Sequence, residues 1–376
     1  MAQRAAAVGR HDRRAWLATL SDPTSPFGAA QGALFDRMSM LPIGRYGEQG
    51  VAVGAPPDGG QVRRFGADAW LATVTLGYEL TGFDRGLRTV DTSYVVARTP
   101  GGWRLGDIAD PGAAQLWDLT PLTVLRSVST LVVGNAPEPA LRSYLAMADA
   151  AHSRVDSVWG MAVPAVVVAA KDAAGFVDQL DRSGDSGLDQ VAAVTDGPLE
   201  PGHSASSDRV YLNPTVFGGL TDDGRRVVIT HELTHVTVRA TTTGPVPMWL
   251  SEGFADEVGY AAVALPPTTV AAPLLAQVRA GHGPRQLPAD SDFDPARGVI
   301  GPVYNAAWLA VTRMKARYGE LRVVDFYRAV AGGLATSGHA SADSDQRAEH
   351  AFPAALGVSE QAFTADWLAY LASLSR

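Results

Sequence analysis

The stretch "DDGRRVVITHELTHVTVR", residues 222–239, decides how this chain is read. Its Asp-Asp-Gly opening is a helix start, and the residues that follow up to 240 contain neither Gly nor Pro, which predicts a helix over 224–240. Many of them are β-branched and lose side-chain freedom in a helix, so tertiary packing has to supply the difference. On that helix His231 and His235 lie one turn apart on one face, close enough for both imidazoles to reach one ion. Glu232 falls about 100° around the axis, beside such an ion rather than on it, where a carboxylate takes a proton from water. The chain holds 8 His among 376 residues, and a chance His-Glu-x-x-His somewhere in it has odds of about half a percent. The plain alternative is two surface histidines beside a solvated glutamate.

A catalytic zinc site needs a third protein ligand and an open fourth position. The segment "PMWLSEGFADEVGY", residues 247–260, offers one: Glu252 follows the apolar pair Trp249-Leu250 and is expected to open a short helix. One turn on, Asp256 is placed to accept a hydrogen bond from the outward nitrogen of a ligand histidine and so fix its tautomer. Glu257 is expected either to share that task or to face solvent. The chain has no Cys, so disulfides and thiolate ligands are excluded and any metal here uses imidazole and carboxylate.

"HELTH" followed by "WLSEGFADE" resembles the gluzincin zinc metallopeptidases, most closely their aminopeptidase-like members with a "W-L-x-E-G-x-A" segment. The resemblance runs over about 128–376 and is strongest over 225–260. It implies a mainly helical zincin-type domain with a small mixed sheet, and one Zn2+ per chain on His231, His235 and Glu252. It also implies Glu232 as the general base of peptide-bond hydrolysis, with a peptide or protein as substrate. In "GPVYNAAWLAVTRMKARYGELRVVDFYRAV", residues 301–330, Tyr304 stands where these relatives place the tyrosine that donates to the oxyanion. "SSDRVYLNP", residues 206–214, resembles the edge strand that lines their cleft. Two departures matter. Sixteen residues separate His235 from Glu252, so the loop "TTTGPVP" has to be tight. The Gly-Ala-Met-Glu-Asn segment that grips a free amino terminus is missing, which favours an endopeptidase over an aminopeptidase.

The first third reads as helix, then strand. Helices are expected over 2–20 and 27–41, and β-rich runs at 69–80, 92–99 and from Trp103. Two helices and a curved antiparallel sheet make an α+β cone over 1–122, NTF2-like or cystatin-like. It resembles the NTF2-like domain that precedes such peptidase domains in some actinobacterial proteins. The proline-rich stretch 110–124 marks a boundary, with the peptidase-like domain over 123–376. That second domain opens as strand 129–134, helix 139–160, strand 164–170 and helix 172–182.

Net charge is -8 and the basic residues come only in short pairs such as Arg225-Arg226, so nucleic acid is an unlikely partner on electrostatic grounds. No apolar run reaches the ~20 residues of a membrane span. The first residues read as a helix joined in mid-course, which leaves export or membrane anchoring through an upstream segment open beside a cytoplasmic location. Segments 266–300 and 332–350 look loop-rich, and the first is a candidate lid over the cleft. His282 reads as a solvated loop residue, while His339 and His350 receive no role. Phe363, Trp367 and Tyr370 of the last helix read as core. The rival to hydrolysis is a non-catalytic, zinc-stabilised protein that keeps the cleft for peptide or partner capture.

Overall fold

The computed structural model of the chain describes residues 1–180, 187–188, 190–198, 203–263, 265–332 and 344–376. Alternation builds the first sheet. Ala72, Val74 and Leu76 point to one side of their strand, and with Val90, Tyr94, Val96 and Leu105 they form a cluster capped by Leu20 and Phe27. Four strands, β1 (Ile43–Val53), β2 (Trp70–Leu80), β3 (Arg88–Thr99) and β4 (Gly102–Asp110), pair antiparallel in chain order.

Two expectations for this part need correction. The helix expected over 2–20 is two, Ala2–Gly9 and Arg13–Leu17, broken where His11 takes a positive φ of 53° and Asp12 caps the second piece through Ala15 N–H at 2.9 Å. Strand β1 was not foreseen: "IGRYGEQGVAV" is rich in Gly and charge, and it is a strand because β2 supplies a ladder from Ile43↔Leu80 to Val53↔Ala72.

The second sheet contains β5 (Thr123–Arg126), β6 (Thr130–Gly134), β7 (Ala165–Ala169), β8 (Ala193–Asp196) and β9 (Arg209–Leu212), in the order β5-β6-β7-β9-β8. The pairs β6–β7 and β7–β9 are parallel, while β5 and β8 join antiparallel at the edges. Every residue of β6, β7 and β9 is buried, as parallel strands covered on both faces require.

One face meets the long helix Glu138–Trp159 and the motif helix Asp222–Thr241, then the helices Met248–Tyr260, Gly301–Tyr318, Glu320–Gly332 and Glu360–Leu374. Val167, Val210, Ile229, Leu233, Phe254, Leu309 and Trp367 belong to this single core, and Phe363 and Trp367 are buried in it as expected. Residues 301–330 form two helices because Gly319, at φ 89°, ends the first.

The other face carries the N-terminal part. Leu131, Val133, Val166, Val168 and Tyr211 share a core with Trp16, Phe35, Met38, Tyr78, Leu80 and Trp117. An ion pair crosses the junction: Arg209 on β9 meets Asp84 after β2, with Nη2–Oδ2 at 2.7 Å and side chains 1% and 0% exposed. Around it Arg85 N–H donates to the Ser206 carbonyl (2.7 Å), the Arg85 guanidinium to that of Ala240 (2.7 Å) and Arg88 to that of Ser207 (2.9 Å).

Candidate metal centre

The motif helix forms despite its composition because its ends and one face are secured. Thr221 caps it, accepting from Gly224 N–H at 3.2 Å, and Asp222 and Asp223 place negative charge in the first turn. Val227, Ile229, Leu233 and Val236 are buried, and the threonines satisfy themselves locally, Thr234 Oγ1 donating to the Thr230 carbonyl at 2.7 Å. The connection from Thr242 to Pro247 is as tight as expected: Gly244 N–H donates to the Ala331 carbonyl at 2.7 Å, and a Cβ at 244 would lie 2.6 Å from that oxygen. The next helix is Met248–Tyr260, so Glu252 stands in its second turn rather than at its opening. Close approach to helix Gly301–Tyr318 depends on Gly253, where a Cβ would meet the Ala307 carbonyl oxygen at 2.4 Å.

These two helices bring three donors together. His231 Nε2 lies 3.0 Å from His235 Nε2 and 3.2 Å from Glu252 Oε2, and His235 Nε2 lies 3.5 Å from the same oxygen. A tetrahedral zinc with bonds of about 2.0–2.2 Å separates its ligand atoms by about 3.3–3.5 Å, so the donor set fits such an ion. Among the described residues this is the one group of three His, Asp or Glu side chains that could hold a metal.

The supporting residues divide as follows. Asp256 Oδ1 sits 2.8 Å from His231 Nδ1, as expected. Glu257 does not join it, nor does it face solvent. One residue further round the helix, it accepts from Trp308 Nε1 (3.1 Å) and Thr312 Oγ1 (2.6 Å) and meets Lys315 at 3.1 Å, joining its helix to Gly301–Tyr318. Glu232 is buried beside the donor set, and Thr195 Oγ1 donates to its Oε2 at 2.6 Å. Tyr304 lines the same cleft and packs edge-on against Phe293, with ring centroids 5.2 Å apart.

Electrostatics follow from burial. Burial pushes the Tyr304 hydroxyl well above the usual phenol range, and the carboxylates of Glu252, Asp256 and Glu232 push it further, so it is a hydrogen-bond donor. For His231 burial works downward, yet Asp256 and Glu252 outweigh it and hold the imidazole well above its ordinary value. Burial raises Asp256 against the pull of His231. Glu252 is held below the carboxylate range because the two histidines overcome its desolvation.

The cleft has a volume of about 1210 Å³. Its sheet-side wall is β8, not the segment 206–214: β9 lies inside the sheet between β7 and β8, and Ala193, Val194 and Thr195 border the cleft. The sequence signal for β8 was too short to read. Thr195, His203 and Tyr327, all in the cleft wall, were likewise missed, since nothing near them in sequence repeats or spaces a motif. Segment 266–300 carries helix Ala272–Arg279 and is tied down at the site, with Asp290 accepting from Met248 N–H at 2.7 Å and Phe293 against Tyr304. His282 is exposed and lines a separate cavity, His350 is exposed, and His339 lies outside the described residues, as does most of 332–350. Compared with known proteins, the chain matches no family model and no curated protein.

Proposed function

We propose that this chain is a zinc-dependent peptidase of the gluzincin kind, hydrolysing bonds within polypeptides. On this reading His231, His235 and Glu252 hold the ion, and an NTF2-like cone precedes the zincin-type domain. The observation that carries the reading is a three-donor set at metal-ligand spacing with a buried glutamate beside it, in a cleft large enough for several residues of an extended chain.

Zinc bound there supplies Lewis acidity toward a carbonyl oxygen and toward water. Glu232 takes the proton of the attacking water and returns it to the departing amine. Tyr304 donates its hydroxyl hydrogen to the oxygen that gains charge, a contribution of about 100-fold or more in kcat. Asp256 fixes the tautomer of His231 by accepting from Nδ1–H and leaves Nε2 for the ion. The free side of β8 offers backbone groups to an extended substrate.

Cleavage within chains is favoured because the carboxylates lining the cleft are committed: Glu232 to Thr195, Glu252 to the histidines, Asp256 to His231. Among the described residues none is left there to hold a free amino terminus. The test is zinc content and peptide hydrolysis of the purified chain beside Glu232→Gln. The variant is expected to keep about one zinc and lose turnover; equal turnover in both proteins refutes the base assignment, and zinc without hydrolysis in either leaves a binding protein.

A further inference from the structure

The Glu232 carboxylate is held by a residue that no motif marks. Thr195 lies in the middle of the edge strand β8, and its hydroxyl donates to Glu232 Oε2 at 2.6 Å while staying 3.3 Å from the Glu232 carbonyl oxygen. The strand is itself anchored. Thr195 pairs with Val210 and Val194 with Tyr211, both buried, and the adjoining Arg209 is fastened to Asp84 across the junction. A glutamate has three rotatable bonds, so a helix alone leaves its carboxylate free to swing over several ångströms. Here the swing is stopped by a hydroxyl on a β-branched residue, whose own first torsion is stiff.

We infer that Thr195 is a positioning residue for the general base: it occupies Oε2, leaves Oε1 as the oxygen that receives the proton, and makes the base and the substrate-facing strand one rigid unit. The inference rests on the peptidase reading above. Its consequence is that an extended chain lying along β8 meets a carboxylate whose orientation is set by the same strand. Displacement of that strand therefore disturbs catalysis as well as binding.

The test compares the full-length, zinc-loaded wild type with Thr195→Val, Thr195→Ser and Glu232→Gln on a fluorogenic peptide library with apolar residues around the scissile bond. Valine keeps the shape and removes the hydroxyl; serine keeps the hydroxyl. Misorientation of a catalytic group by about 1 Å costs on the order of 100-fold. Thr195→Val is therefore expected to lose about 10- to 100-fold in kcat. Its KM for the peptide, its affinity for a non-hydrolysable peptide by calorimetry and its zinc content are expected to stay within about twofold of wild type, a split that simple unfolding does not produce. Thr195→Ser is expected to recover most of kcat. If Thr195→Val keeps kcat while Glu232→Gln is inactive, the positioning role is wrong and the peptidase reading stands. The role is also wrong if Thr195→Val and Thr195→Ser fall equally. If wild type is as inactive as Glu232→Gln, both fall.

Discussion

Replacing Asp256 by Asn isolates what the contact to His231 does for the metal. The bond is 2.8 Å long and its side chains are only 11% and 12% exposed, so solvent screens it little. Asn keeps the shape and an acceptor oxygen but loses the charge. Hydrogen bonds to charged groups contribute about 1.5–3 kcal/mol and neutral ones about 0.5–1.5, so the substitution removes about 1–2 kcal/mol. At about 1.4 kcal/mol per factor of ten, zinc affinity should weaken about 5- to 30-fold, within the range known for partners of ligand histidines. Competition against a calibrated chelator at fixed pH reads this directly. The structure also supplies the control: Glu257 is adjacent on the same helix but faces Trp308, Thr312 and Lys315, so Glu257→Gln should change zinc affinity less than about twofold. Equal losses in the two variants, or none in Asp256→Asn, would refute the argument that Asp256 acts on the ion through His231.

Two further outcomes are expected. His231 is held well above its ordinary pKa in the metal-free chain, against the effect of burial, by Asp256 and Glu252; its protonated form therefore stabilises the metal-free fold below the unfolded value of about 6.5, and that stabilisation is lost as pH rises through the folded value. Zinc must displace this proton, so the rise in denaturation midpoint on adding zinc should grow between pH 6 and 8, and a constant increment would contradict it. Asp84→Ala leaves Arg209 buried without its partner and should cost about 3–5 kcal/mol, seen as a lower denaturation midpoint; an unchanged midpoint would mean that the junction carries no such pair in solution.

The legible part of the site is the part written in consecutive residues. His231, Glu232 and His235 take their relative directions from the turn of one helix, and Glu252 and Asp256 from the turn of the next, so spacing was enough to nominate all five. Glu257 shows the limit of that logic: the helix fixes the angle between it and Asp256, but the identity of its partners depends on Trp308 and Thr312, more than fifty residues on. β1 and β8 were missed for a related reason. Neither has a hydrophobic pattern of its own, and each is a strand because a neighbour completes its ladder. The order β7-β9-β8 then gave the cleft wall to the segment least readable in sequence.

Local covalent geometry is encoded residue by residue: helix period, cap, turn and the alternation of the buried strands can be read without knowing what lies opposite. The donor set, the base and its neighbour Asp256 belong to that level. Which strand ends up at the sheet edge, which hydroxyl meets Glu232, and how the N-terminal core fuses with the second sheet through Arg209 and Asp84 are settled by packing between distant segments. There the free energy is that of burying shared surface and satisfying polar groups together, and no single stretch carries it.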